Sequence, residues 1–161
     1  MKVVIVGGVA GGATAAARIR RLDEKAEIVV FERSGYISYA NCGLPYYIGD
    51  TITDAEELTL QTPQSFFSRF RVDMKVLHEV TGIHPDKKTV SVKNLNTGEE
   101  FEESYDKLIL SPGAKPAMPE LPGIESRRIF TLRTVEDTMR IHDFIQSSRP
   151  KSAVIAGGGY I

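Results

Sequence analysis

The 161 residues predict an α/β fold, with a parallel sheet, covering helices and a small antiparallel β-meander. Three features carry that expectation. Residues 2–6 and 27–32 are short apolar runs of the kind buried on both faces in parallel sheets, and a glycine cluster and a helical pattern lie between them. Residues 89–93 and 100–105 flank NLNTGE, a hairpin signal. A second buried-type strand at 151–156 runs into another glycine cluster beginning at Gly157.

Composition excludes several classes. With 42% hydrophobic and 25% charged residues the chain has the make-up of an ordinary globular protein. A net charge of -1 gives no electrostatic reason to expect nucleic acid or an anionic membrane as partner. One cysteine rules out an intrachain disulfide framework and fits a reducing cytoplasm. The apolar start of the chain is interrupted by glycines and closed by arginines, so it matches neither a signal peptide nor a membrane span.

In the first unit, Gly7-Gly8-Val9-Ala10-Gly11-Gly12 follows the strand, a helix is expected over about 13–22, and the next strand ends at Glu32, twenty residues after Gly12. Strand, glycine turn, helix, strand and terminal acid make a Rossmann-like βαβ unit for a dinucleotide. Gly7 permits the tight turn, Gly12 lets the helix approach the sheet, and Glu32 can accept from ribose hydroxyls. Val9 replaces the middle glycine of the usual pattern. On the helix, Thr14, Arg18 and Arg21 share one face by their spacing. That face is either a solvated stripe or a docking surface for a phosphorylated ligand.

The stretch SYANCGLPYYIG, residues 38–49, holds Cys42, and Pro45 allows a helix to start just beyond it. A thiol ahead of a helix start meets unsatisfied N–H groups and the positive dipole end, which favour the nucleophilic thiolate. A lone cysteine also serves as a small buried hydrophobe, so both readings stay open on the cysteine alone.

Residues 50–62 are polar and turn-rich, 63–70 read as a short helix with Phe66, Phe67 and Phe70 as core or interface aromatics, and 72–80 read as one strand. His78 and His84 have no metal-ligand spacing, so both are taken as structural and no metal is expected. Arg69 and Arg71 are weaker candidates for holding a phosphate. Residues 107–111 form a strand ending in Ser111-Pro112-Gly113-Ala114. Three prolines (Pro116, Pro119, Pro122) mark an ordered loop, 129–132 a short strand, and Thr134 with Asp137 a capping box opening a helix to about residue 147.

GGVAGGATAAARIRRLD together with SYANCGLPYYIG resembles the amino-terminal part of the coenzyme A-disulfide reductases. These belong to the single-cysteine branch of the flavin-dependent pyridine nucleotide-disulfide oxidoreductases, which also includes coenzyme A persulfide reductases. The resemblance runs over all 161 residues and accommodates Val9. It implies a three-layer FAD-binding domain over residues 1–150, the first part of a discontinuous domain. Residues 151–161 would be the first strand and glycine turn of an NAD(P)-binding βαβ unit, truncated at its start. The two glycine turns, at Gly7 and Gly157, lie 150 residues apart, as a tandem FAD-then-NAD(P) layout requires.

By the same resemblance, FAD contacts fall on Gly7, Val9, Ala10, Gly11, Gly12, Glu32, Arg33, Val80, Ser111, Gly113 and Arg133. Substrate contacts fall on Thr14, Arg18, Arg21, Ser38 and Asn41. Cys42 would be the redox-active nucleophile, attacking a coenzyme A disulfide or persulfide and cycling through a mixed disulfide, with NAD(P)H as reductant in a full-length homodimer. Two alternatives stand beside this. One is an NADH oxidase or peroxidase cycling a cysteine sulfenic acid, whose members carry a histidine where this chain has Ala10. The other is a catalytically silent nucleotide-binding fragment.

Overall fold

The computed structural model describes residues 1–157. Its centre is a four-stranded parallel sheet of β1 (Lys2–Val6), β2 (Glu27–Glu32), β5 (Asp73–Val76) and β9 (Lys107–Leu110), in the order β5-β2-β1-β9. Alternation along the two central strands explains their continuous apolar sequences. Val3, Ile5, Ile28 and Val30 pack on one face against Ala13, Ala16 and Ala17 of helix α1 (Ala10–Leu22) and Phe66 of α3 (Pro63–Phe70). Val4, Val29 and Phe31 pack on the other face against Val90 and Val92 of a three-stranded antiparallel meander. The meander is β6 (His78–His84), β7 (Thr89–Asn94) and β8 (Glu100–Ser104). Helices, parallel sheet and meander are thus three layers over two apolar cores.

The small residues of α1 are what let it sit close to the sheet. A Cβ on Gly12 would lie 1.7 Å from the backbone oxygen of Gly7, so only glycine fits there. Gly7 itself has φ +94°, and its own Cβ would fall 2.0 Å from the backbone oxygen of Ser111. The helix begins at Ala10, three residues earlier than its sequence pattern suggests. The third position of the glycine turn, Val9, has a negative φ of −91°, so glycine's access to positive φ is not needed there.

Four expectations need correction. Residues 72–80 are not one strand: Leu77 takes φ +55°, and the chain leaves the parallel sheet there to enter the meander. Within the turn-rich 50–62 segment, β4 (Thr59–Gln61) pairs antiparallel with β3 (Ile37–Tyr39), a contact between segments whose sequences carry little strand signal. Residues 129–132 form no strand; a turn hydrogen bond runs from Ile129 N to Ser126 O at 3.0 Å, and Phe130 packs instead on Phe144 of α4 (Val135–Ser148). Residues 151–156 form no strand either, and Val154 and Ile155 are 95% and 88% exposed. An apolar run becomes a strand only where a neighbouring strand completes its hydrogen bonds. The rest of the expected second glycine turn, residues 158–161, lies outside the described residues.

The Thr134 capping box forms as expected, with Asp137 N–H donating to Thr134 Oγ1 at 3.1 Å and Thr134 N–H to Asp137 Oδ2 at 3.2 Å. His78 and His84 each make a hydrogen bond within the fold. His78 Nδ1 lies 2.7 Å from Val76 O and its ring packs beside Phe31 and Phe101, while His84 bonds Ser91 Oγ at 2.9 Å.

One ion cluster joins sheet to meander: Lys2 meets Glu103 of β8 and, at 3.2 Å, Glu27 of β2. The hydrogen bond to Glu103 raises the Lys2 pKa, against the opposing effect of burial, and Glu27 raises it further. A cation held this way stabilises the fold below its ordinary range and loses that contribution as pH rises through the raised value. Lys2→Met should therefore cost on the order of 1 kcal/mol at neutral pH. It should also make the stability fall less between pH 9 and pH 12 than in the parent. Urea unfolding at these pH values checks both; parental stability at pH 7 would remove the cluster from the fold's energetics.

Candidate functional site

The glycine turn between β1 and α1 gathers most of the residues singled out in the sequence. No side chain caps the first turn of α1, and no acidic residue occupies it, so its N–H groups and dipole are left to an external anion. Ala10 and Gly11 are exposed at this end. The Ser111 turn comes against it: Ser111 N–H donates to Val6 O at 2.8 Å, and Ser111 Oγ lies 3.2 Å from where a Gly11 Cβ would be. Gly113 follows with φ +72°, and Arg133 closes over that turn by donating from Nε to Ala114 O at 3.4 Å.

Glu32 stands at the end of β2 beside this turn, with an addition that the sequence pattern does not specify. Its carboxylate already accepts from Gly8 N–H at 2.7 Å and from Ser34 N–H at 2.8 Å. A carboxylate offers about four acceptor positions, so two are still open to ribose hydroxyls. Uncapped helix donors, two glycine turns in contact and an acid held at the strand end are a donor and acceptor set that fits a dinucleotide. Arg33 and Val80 lie further out. Arg33 is exposed and ion-paired with Glu79 at 3.6 Å, and Val80 is half-buried in β6 against the meander core.

The Cys42 stretch is tied to the same turn. Ser38 N–H donates to Gly8 O at 3.1 Å, Ala40 N–H to Leu58 O at 2.8 Å, and β3 is held by β4. Leu44, Leu58 and Val135 form a small buried cluster beneath it, with Tyr36, Tyr39, Tyr47, Ile52 and Met139 around them. Burial pushes the Tyr39 phenol up; Arg133 opposes this, while Glu32, Glu136 and Asp137 add to it, so the ring stays a neutral phenol at neutral pH. Cys42 is exposed, and the Oδ1 of neighbouring Asn41 is buried with no hydrogen-bond partner.

The helix beyond the thiol is α2 (Leu44–Ile48), only five residues long, and Cys42 sits in a 3-10 turn (Asn41–Gly43) ahead of it. Gly43 N–H and Leu44 N–H are already bonded to Ala40 O and Asn41 O, and Pro45 has none to offer. The helix start therefore gives this thiol less than the sequence pattern suggests.

At the other end of α1 the arginines divide. Arg20 is structural: it donates to Phe70 O at 2.8 Å, Arg71 O at 2.8 Å and Glu24 O at 2.6 Å, binding the ends of α1 and α3 together. Arg21, Arg69 and Arg71 line an open cleft of about 600 Å³ with Phe70 and Glu24. Thr14, Arg18 and Arg21 are exposed on α1, and among the described residues neither Arg18 nor Arg21 forms an ion pair. Arg20 and Gly8 are the positions that sequence reasoning missed, because their partners are remote in the chain: the carbonyls of Phe70 and Arg71 for Arg20, and the Glu32 carboxylate and Ser38 N–H for Gly8. A second cleft, about 430 Å³ and lined by Arg127, Ile129, Phe130, Arg140 and Phe144, is built from other residues. No helix among the described residues is long and apolar enough to cross a membrane.

The chain is 47% identical over 160 residues to a coenzyme A disulfide reductase of Staphylococcus aureus, covering 99% of this chain and 36% of that protein. It thus spans about a third of the length of the curated relatives it matches. Among solved structures, the reduced CoADR-RHD of Bacillus anthracis superimposes with a TM-score of 0.91 at 54% identity, over 93% of this chain and 27% of that one. A NAD-dependent persulfide reductase from A. fulgidus gives 0.86 at 35% identity, over 91% of this chain and 28% of that one. A family model described as pyridine nucleotide-disulphide oxidoreductase matches residues 1–161, and the chain belongs to that family.

Proposed function

We propose that this chain is the FAD- and thiol-handling part of a longer NAD(P)H:disulfide oxidoreductase of the coenzyme A-disulfide reductase type. Residues 1–150 are assigned to the FAD-binding domain and 151–161 to the start of an NAD(P)-binding unit, with the intact protein a cytoplasmic homodimer. The observation that carries this reading is the double attachment of α1. Its N-terminal end is tied through Gly8 to the Cys42 stretch, and its C-terminal end forms the wall of an arginine-lined cleft. A helix of 13 residues is roughly 20 Å long, a span suited to an extended substrate with sulfur at one end and phosphates at the other. The relatives' names point the same way.

In this reading the uncapped N–H groups at the start of α1 hold the pyrophosphate, and Glu32 holds a ribose. The turn from Ser111 to Gly113, with Arg133 over it, supplies the second wall, and Arg33 and Val80 border the adenine. Bound FAD supplies two-electron transfer between nicotinamide and sulfur. Cys42 acts as a thiolate on the disulfide, forming a new sulfur–sulfur bond and releasing one coenzyme A thiolate, which takes a proton from water. Two electrons and one proton, originating together as the hydride of NAD(P)H, then cleave the mixed disulfide and return the Cys42 thiolate and the second coenzyme A thiol. Ser38 and Asn41 border the reacting sulfur, Asn41 with an amide oxygen still free to accept a hydrogen bond. Thr14, Arg18 and Arg21 hold the distal phosphates. Ala10 brings no ionisable group to the site, unlike the histidine of the oxidase and peroxidase branch.

The phosphate assignment is tested by steady-state kinetics of an intact enzyme carrying Arg18→Ala with Arg21→Ala. A charge-assisted contact is worth about 1.5–3 kcal/mol, less when solvated, so KM for coenzyme A disulfide should rise roughly tenfold or more. KM for a small uncharged disulfide should stay near the parent. Equal losses on both substrates would return the stripe to a solvated face.

A further inference from the structure

Ser38 has a backbone conformation that serine rarely takes. Its φ is +46°, in the left-handed region, although the residues on either side belong to β3. For a non-glycine residue this conformation is strained and persists only where the surroundings over-determine it. Here they do. Ile37 is 1% exposed and paired with Gln61, Tyr39 is paired with Thr59, and Ser38 N–H donates to Gly8 O at 3.1 Å. Gly8 in turn donates its N–H to Glu32 at 2.7 Å. A Cβ on Gly8 would press on Glu32 Cβ at 3.1 Å and Ile37 Cγ2 at 3.2 Å, so the two sides are packed as well as bonded.

We propose that Ser38 is a positioning residue for Cys42 that acts through its left-handed backbone, locked onto the Gly8 peptide, rather than through its hydroxyl alone. The inference rests on Cys42 being the reacting thiol, and it concerns how that thiol is placed. The reversal of backbone hand at Ser38 falls inside β3, between two pairs to β4, and the pairing continues past it through Ala40 N–H to Leu58 O, two residues before Cys42 in the exposed 3-10 turn. Because Gly8 bonds Glu32 through its N–H and Ser38 through its carbonyl, the acid assigned to the ribose and the loop bearing the thiol are tied to the same residue.

Two substitutions separate backbone from hydroxyl. Asparagine tolerates the left-handed region and lacks the hydroxyl; threonine keeps the hydroxyl, but its β-branch disfavours that region. The probe is the neutral disulfide 4,4′-dithiodipyridine, whose reaction with the single thiol is followed by absorbance in stopped flow. Amide hydrogen exchange at residues 38–43 is measured in parallel. Ser38→Thr should shift the thiol rate at least threefold towards that of the urea-unfolded chain and speed exchange at Ala40 and Gly43. Ser38→Asn, which retains the left-handed backbone, should keep the parental exchange at Ala40 and Gly43. The reverse pattern, or equal behaviour of the two variants, overturns the proposal. If Ser38→Thr does not fold, Ser38→Gly decides: parental exchange at Ala40 and Gly43 supports a backbone role, and faster exchange there rejects it. Coenzyme A plays no part in these measurements, so failure here is distinct from failure of the substrate assignment.

Discussion

Cys42→Ser in the intact enzyme is expected to abolish reduction of coenzyme A disulfide, a loss on the order of a thousandfold or more. The protein should still hold its flavin, and NAD(P)H should still reduce it. Both halves follow from position. The thiol is exposed in a turn that backbone hydrogen bonds hold in place, so exchanging sulfur for oxygen removes the nucleophile and leaves the fold. The residues assigned to the dinucleotide lie instead on the glycine turns, Glu32 and the Ser111 turn. Anaerobic titration with NAD(P)H, followed by addition of the disulfide, separates the two half-reactions. A serine variant that still turns over coenzyme A disulfide would take Cys42 out of the mechanism.

Gly12→Ala and Gly7→Ala are expected to be the most damaging glycine-to-alanine changes among the described residues. The new Cβ would stand 1.7 Å from Gly7 O in the first and 2.0 Å from Ser111 O in the second, where the φ of +94° adds strain. Both obstacles are backbone, so neither can swing aside as a side chain would. Overpacking usually costs about 1–3 kcal/mol and more where nothing can move, so a loss of about 3 kcal/mol or more is expected, together with loss of dinucleotide affinity. Gly35→Ala is the control. Nothing lies within 4 Å of its added Cβ, and its stability should stay within about 0.5 kcal/mol of the parent. Denaturant unfolding of the three variants checks this, and a Gly12→Ala protein as stable as the control would contradict the close approach of α1 to the sheet.

The strands β1 and β2 are legible from composition because both faces of the sheet are covered, leaving no solvent side to break the apolar run. The meander is legible at its hairpin, where Gly98 takes φ +78° and its N–H bonds Asn94 O at 2.8 Å. Residues 129–132 and 151–156 carry equally apolar sequence and form no strand. Their difference from β9, which pairs with β1 through Val3, Val4, Ile5 and Val6, lies in having no strand beside them among the described residues.

The sequence by itself determined the local chemistry: a glycine turn before a helix, an acid at a strand end, a single thiol, and arginines on one helical face. Each of these depends on short-range spacing, which the 3.6-residue and two-residue periods convert directly into a shared face. Only the tertiary structure decided which of them meet. Glu32 reaches Gly8, the Ser111 turn closes on Gly7, Arg20 is spent on the carbonyls of Phe70 and Arg71, and Arg21 is left lining the open cleft. Those pairings join residues 24 to 104 positions apart through backbone oxygens and N–H groups. Every residue type carries a peptide oxygen, and every one but proline a peptide N–H, so nothing in the sequence marks which of them will be used.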